Sequence, residues 1–203
     1  MAAKLVIGEK SPASILFAEA CTLHLKPGEF TDEQVVMNSL FADGAARVDV
    51  AQNSVPRALA LLDTTEEVLA DSADDMTWGV ADSAFSMTLG RAVPARLRAV
   101  AVEFIDRFLA RSGLRRADVN RFAVHPGGPK IIDDAAEALG LEPHQVCHSR
   151  AVLRERGNMS SSTLPHIWNR MKEDPGVVAG EMIVSIAFGP GLTIAANLLR
   201  QEP

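Results

Sequence analysis

The 203-residue sequence predicts an α/β layer protein with a mostly buried sheet, and three observations point that way. Residues 121–124 (RFAV) are a short apolar tract that runs through HPGGP into a helical pattern, a strand–loop–helix unit. Residues 182–187 and 192–199 are two apolar tracts hinged by FGPG, as expected of adjacent buried strands. Apolar residues recur at helical spacing in two separate segments, one before and one after residues 121–124.

Taken in order, residues 4–8 (KLVIG) form a brief strand-like run, and residues 40–50 (LFADGAARVDV) place a Gly turn before an alternating tract that suggests a second strand. The intervening CTLHLKPGEFTDEQ carries Pro27 and Gly28 and reads as a loop. Two short strands cannot bury their own faces, so this region resembles the torn edge of a larger sheet. Residues 57–62 suit a strand, and Phe85, Met87 and Leu89 alternate along another. Pro94 opens a helix on which Leu97, Ala101, Phe104 and Phe108 share a face, and Gly113 closes it. Pro129 starts a second helix, with Ile131, Ile132, Ala135, Ala136 and Leu139 along one side and Gly140 at its end.

Composition narrows the function. With 47% apolar and 23% charged residues the chain is that of an ordinary globular protein. No apolar run is long enough to span a bilayer, and MAAKLVIGEK lacks the apolar stretch of a secretion signal, so a cytoplasmic location and no membrane partner are expected. A net charge of −6 argues against a nucleic-acid partner but leaves room for a small anion in a locally basic cleft. Cys21 and Cys147 are the two cysteines, suiting neither a disulfide framework nor a zinc cluster; no metal is expected.

Three loops carry residues with chemical potential. His125 stands in VHPGGPK, where Gly127 and Gly128 let backbone approach a ligand and the following helix start favours anions. An imidazole there can donate to an oxyanion or exchange a proton; it can equally be an incidental turn residue. In RGNMSSST, Asn158 can donate its amide to an oxyanion, or with its serines simply cap the next helix, near whose start Pro165 must lie. The third loop, AFGPGL, taken alone is a tight inter-strand turn.

HPGGP, GNMSS and FGPG, in this order inside an α/β pattern, resemble the type III (chalcone-synthase-like) polyketide synthases. LFADGAA at residues 40–46 is similar to that family's LFGDGAA segment, and EACTLHLKP at residues 19–27 to its bacterial members. The resemblance runs over nearly the whole chain, loosest from residue 52 to 75. It implies a thiolase-like C-terminal half-fold, a mixed sheet flanked by helices, at residues 56–203, with residues 1–55 forming the last strands of the N-terminal half. It further implies an acyltransferase with no cofactor, using acyl-CoA and malonyl-CoA. His125 and Asn158 match the family's histidine and asparagine, which stabilise the enolate left by malonyl-CoA decarboxylation and the oxyanion of Claisen condensation. Phe41 matches a gatekeeper phenylalanine, and Met87 a second gatekeeper that is usually aromatic. Cys21, Met37 and Ser160 match cavity-lining positions, Phe188 the loop shaping the cavity wall, and Lys130 is the basic residue expected near the pantetheine or phosphate path, or else a solvated first-turn lysine.

One departure matters. In the family the nucleophilic cysteine precedes the strand matched by KLVIG, outside this sequence, while Cys21 matches a wall position and Cys147 is expected on a helix-to-strand connection. Three readings follow: a subunit of a split synthase, in a hetero-oligomer with a separate chain bearing the N-terminal half and its cysteine; a non-catalytic paralogue that binds or stabilises a complete synthase; or a fragment of a longer protein. Met1 just before a strand, and retention of both His125 and Asn158, favour the first.

Overall fold

The computed structural model describes residues 2, 6–7, 11–26, 28–29, 31–53, 55–80, 82, 84–90 and 92–203. Its centre is a four-stranded mixed sheet in the order β3–β8–β7–β6, comprising β3 (Leu59–Val68), β6 (Arg121–Val124), β7 (Met182–Gly189) and β8 (Thr193–Gln201). β3 and β7 run antiparallel to β8, and β6 pairs with β7 in parallel.

Alternation along these strands divides the core in two. Phe122 and Val124 of β6, Val184 and Ile186 of β7, and Ile194, Ala196 and Leu198 of β8 belong to one buried cluster. Against them pack α2 (Val93–Ala110), through Phe104, Ile105, Phe108 and Leu109, and α3 (Pro129–Leu139), through Ile132, Ala135 and Leu139. The intervening residues Ala123, Ile183 and Leu199 turn to the opposite face. There they meet Val152 of α4 (Cys147–Arg156) and Ile167 and Met171 of α5 (Thr163–Glu173). Helices thus cover both faces, which is why β6 and β7 read as continuous apolar tracts rather than alternating ones. The one polar interruption, Ser185, is buried and accepts a hydrogen bond from Trp168 Nε1 at 3.0 Å.

Two antiparallel ribbons stand beside this body: β1 (Ala13–Glu19) with β2 (Gly44–Val50), and β4 (Met76–Val80) with β5 (Phe85–Leu89). The first is seated on the turn before α5. Glu19 accepts hydrogen bonds from the Ser161 backbone N–H and hydroxyl, and His166 Nε2 meets the Ala45 carbonyl at 3.2 Å. Gly44 lies so close that a Cβ would fall 2.6 Å from that of Met159.

The expected strands at residues 40–50, 85–89, 121–124, 182–187 and 192–199 are present, as are both expected helices. Four expectations are corrected. The strand-like run expected at residues 4–8 is not described as a strand: Val6 and Ile7 are helical, Lys4, Leu5 and Gly8 lie outside the described residues, and β2 pairs with β1. The supposed loop contains a turn of 3₁₀ helix at Cys21–His24 and then α1 (Asp32–Leu40), capped by the Thr31 side chain accepting from the Gln34 N–H at 3.2 Å; its Pro27 lies outside the described residues. The strand expected at residues 57–62 begins at Leu59 and runs on to Val68, because β8 offers it a long partner; Arg57 instead sits at φ 57° and donates to the carbonyls of Asp174 and Val177. Cys147 begins a helix instead of lying on a connection to a strand.

Among the described residues no helix is long and apolar enough to cross a membrane. The ribbons nevertheless expose apolar side chains: Leu16 is 75% exposed, Val80 84% and Trp78 45%. Unpaired strand edges beside such surface promote association. The chain expressed alone should therefore self-associate with rising concentration, and Leu16→Lys with Val80→Lys should reduce it, as read by light scattering. A wild-type chain that stays monomeric across the micromolar range would contradict this.

Candidate active site

The site is assembled where β6, α1 and α4 end. Two hydrogen bonds hold the end of β6. The Val124 N–H donates to Ser149 Oγ of α4 at 3.0 Å, and the His125 N–H donates to the Ile186 carbonyl of β7 at 2.8 Å. The chain then turns through Pro126 and Gly127, whose N–H returns to the His125 carbonyl at 3.1 Å, and enters α3. Gly128 is extended, and a Cβ there would lie 3.2 Å from Leu40 Cδ1, so its value is closeness to α1 and not conformational freedom.

Asn158 reaches the same point from the other side. α4 stops at Gly157, with φ 76°, where a Cβ would stand 3.0 Å from the Leu40 carbonyl oxygen. The next residue is gripped on both backbone groups: the Asn158 N–H donates to Leu40 O at 2.7 Å, and its carbonyl accepts from the Ala42 N–H at 2.9 Å. Phe41 and Asn158 are thereby bridged as a one-residue parallel pair.

The Asn158 side chain is buried and oriented at both ends. Its Oδ1 accepts from the Ser160 N–H at 3.0 Å, and its Nδ2 donates to Gly127 O at 3.4 Å. The carboxamide therefore bonds two residues beyond His125, and among the described residues one Nδ2–H is left for a ligand. Ser160 adopts φ 51°, unusual outside glycine, and in doing so aims its N–H at Asn158. Asn158 thus does satisfy backbone, as a capping role requires, while keeping a free donor.

Burial tunes the titratable groups. His125 is half-buried, and loss of water around it pushes its pKa down to about 4, so the imidazole is neutral at physiological pH. Cys21 is buried, and desolvation, reinforced by Glu19 and Asp43, pushes its thiol up to about 11. A thiol so raised is a poor nucleophile. Asp43 is itself held by the Thr22 N–H at 2.7 Å and hydroxyl at 2.9 Å.

The structure thus joins His125, Asn158, Ser160 and Phe41 through Gly127 and Leu40. Met37 is buried one turn before Phe41, whose N–H donates to the Met37 carbonyl at 3.0 Å. Cys21 lies two residues from Glu19, the acceptor for Ser161. Met87 sits on β5 opposite Trp78, in the ribbon whose Phe85 and Trp78 touch the His24 ring. Phe188 packs between the main cluster and a smaller one of Val93, Leu97 and Leu192. Lys130 is exposed and paired with Asp134 at 2.8 Å, the arrangement of a solvated first-turn lysine. Sequence reasoning missed Glu19 and Ser149, which brace the site; they act across 142 and 25 residues respectively, and no local pattern announces either.

Two outcomes follow. Gly157→Ala should destabilise the fold by about 1–3 kcal/mol, read from urea unfolding, because the side chain meets both a strained φ and the Leu40 carbonyl. The His125 pKa is lower in the folded state than in the unfolded chain, so between about pH 6.5 and 4 the unfolded state binds more protons. Stability is accordingly full above that window and lost as pH falls through it. His24 and His148, also shifted down by burial, add to the slope, and His125→Asn should flatten part of it.

Residues 60–203 match the model of the C-terminal domain of chalcone and stilbene synthases. The chain is 34% identical over 196 residues to 3,5-dihydroxyphenylacetyl-CoA synthase of Streptomyces toyocaensis, covering 93% of this chain and 50% of that protein. It is 30% identical over 179 residues to 1,3,6,8-tetrahydroxynaphthalene synthase of Streptomyces griseus, covering 88% and 48%. The chain therefore spans about half the length of these relatives. The crystal structure of the tetrahydroxynaphthalene synthase of Streptomyces coelicolor A3(2), a bacterial type III polyketide synthase, superposes with a TM-score of 0.91 at 26% identity, over 98% of this chain and 57% of that one. A mixed sheet with a helical layer on each face, a matching domain model over most of the chain and this superposition lead to one conclusion: the chain belongs to the chalcone and stilbene synthase family and carries the thiolase-like fold of type III polyketide synthases.

Proposed function

We propose that this chain is the C-terminal half of a split type III polyketide synthase-like acyltransferase, acting on CoA thioesters, with the nucleophilic cysteine supplied by a partner chain. The observation that carries the reading is the approach of Asn158 to the His125 loop: its carboxamide donates to the Gly127 carbonyl, two residues beyond a histidine that burial keeps neutral. Its support on the nucleophile is chemical. The Cys21 thiol is held too high to ionise near neutral pH, and the Cys147 sulfur faces His148 rather than His125.

The chemistry follows from the donors. When a malonyl thioester loses carbon dioxide, the electron pair of the broken C–C bond moves into an enolate, whose oxygen takes the negative charge. The neutral His125 imidazole donates an N–H to that oxygen, and the free Asn158 Nδ2–H donates a second. The enolate carbon then attacks the acyl thioester carbonyl on the partner's cysteine. Collapse of the tetrahedral oxyanion expels the thiolate. Donors fixed before reaction, in surroundings dry enough to shift an imidazole to about 4, need little reorganisation as charge develops. A histidine that protonated near pH 7 would offer a charged donor whose strength varied with pH.

The test is reconstitution with a chain carrying the first half of a related synthase. His125→Ala and Asn158→Ala should each lower malonyl-CoA decarboxylation and condensation by roughly 100- to 1,000-fold with unfolding midpoints retained. After brief incubation with an acyl-CoA, intact-mass spectrometry should place the acyl group on the partner chain. Near-normal decarboxylation by both folded variants would favour the non-catalytic paralogue, and an acyl group on Cys21 would overturn the assignment of the nucleophile.

A further inference from the structure

A second cluster of reactive side chains lies away from His125 and Asn158. Cys147 is exposed at the first position of α4, and its Sγ stands 3.4 Å from Nδ1 of the buried His148. His148 Nε2 is 2.9 Å from Asp174 Oδ2, at the end of α5. The other carboxylate oxygen, Asp174 Oδ1, accepts from the Gly176 N–H at 2.8 Å, which fixes the carboxylate and holds it below the ordinary carboxylate range. A buried imidazole facing a carboxylate through Nε2 keeps its proton there and leaves Nδ1 as the acceptor turned to the thiol. This is a nucleophile, a base and a group orienting the base, in hydrogen-bonding sequence.

The cluster opens into a cleft of about 470 Å³ lined by Cys147, His148 and Asp174 together with Arg150, Arg154 and Arg170. Arg150 is paired with Asp133 at 2.6 Å. Arg154 and Arg170 share the single carboxylate of Glu155, so three guanidinium groups meet two paired carboxylates on this wall, and Asp174, turned to His148, is the third acidic group at the opening. A structural histidine needs neither an exposed sulfur against its free nitrogen nor an arginine-lined opening in front of it.

We propose that Cys147 is a thiol activated for exchange with a small disulfide bearing carboxylates, the Cys147–His148–Asp174 chain supplying the reactivity and Arg150, Arg154 and Arg170 receiving the ligand's negative charge. His148 Nδ1 takes the thiol proton as Sγ attacks one sulfur of the ligand. A new S–S bond forms to Cys147 while the ligand's own S–S bond breaks. The departing thiolate takes the proton from His148, so Cys147 ends as a mixed disulfide and half the ligand leaves as a free thiol. Oxidation of the protein sulfur is balanced by reduction of the ligand, and no further reagent is needed. The site is independent of the synthase reading.

Glutathione disulfide is the probe. Incubated with the purified chain, it should give one adduct per molecule by intact mass, mapped by peptide digestion to Cys147 and absent from Cys147→Ser, with buried Cys21 unmodified. His148→Gln should slow the reaction about 100-fold. Asp174→Asn, on the rim and gentler to the fold, should slow it in the same direction and decides the matter should His148→Gln unfold. Arg170→Gln should slow reaction with glutathione disulfide while leaving neutral 2-hydroxyethyl disulfide unaffected. Reaction of Cys147 no faster than that of N-acetylcysteine at the same pH, or an unchanged rate in folded Asp174→Asn, overturns the activated thiol. Equal effects of Arg170→Gln on both disulfides overturn the anionic ligand.

Discussion

Two backbone hydrogen bonds to one residue hold the candidate active site together. Asn158 gives its N–H to Leu40 and takes one from Ala42, which ties the end of α1 and the start of β2 to the corner between α4 and α5. A buried amide without a partner would cost more than a made bond returns, so both segments must arrive together. Gly157 exists to permit this approach, and Gly44 and Gly128 clear the neighbouring surfaces for Met159 and Leu40. The side chain of Asn158 is then free to face Gly127, because its backbone has already been satisfied elsewhere. Positioning is done by main chain and chemistry by side chain.

The same withdrawal of water has opposite consequences for the two titratable groups of this region. Burial penalises charge, so it holds His125 neutral by lowering its pKa and holds Cys21 neutral by raising its own. A neutral imidazole keeps an N–H to donate, whereas a neutral thiol has lost its use as a nucleophile. Glu19 and Asp43 deepen the second effect and have structural work of their own, on Ser161 and on Thr22.

Elements whose packing repeats along the chain were legible from sequence. Phe104 and Phe108 on α2, or Ile132 and Leu139 on α3, fall at helical spacing because one face must meet the sheet, and Gly140 at φ 68° marks the stop. The helix at Asp32–Leu40 was missed, its start read as part of the loop marked by Pro27 and Gly28, although Thr31 and Gln34 are a capping pair. β1 was hidden because Leu16 and Phe17 are adjacent apolar residues on opposite faces of a half-exposed ribbon, which erases the alternation. Of the site, the loops bearing His125 and Asn158 stood out by motif. Their meeting at Gly127, 31 residues away in sequence, is a tertiary fact that periodicity does not encode. Cys147 was expected on a connection, but Pro143 opens a short 3₁₀ turn that leads straight into α4.

The position of β8 in the sheet bears on how the molecule comes into being. β8 follows every other strand in sequence yet lies between β3 and β7, and its register with β3 pairs Leu59 with Gln201 and Val68 with Thr193. During synthesis β3 leaves the ribosome with no partner, and β6 and β7 can pair before it has a place beside them. The middle of the sheet is laid last, so β3 waits with an unpaired backbone edge until β8 is made. Contacts of such sequence separation form slowly and leave intermediates open to association. The risk of association during folding is thus set by strand order, whatever the stability of the finished fold.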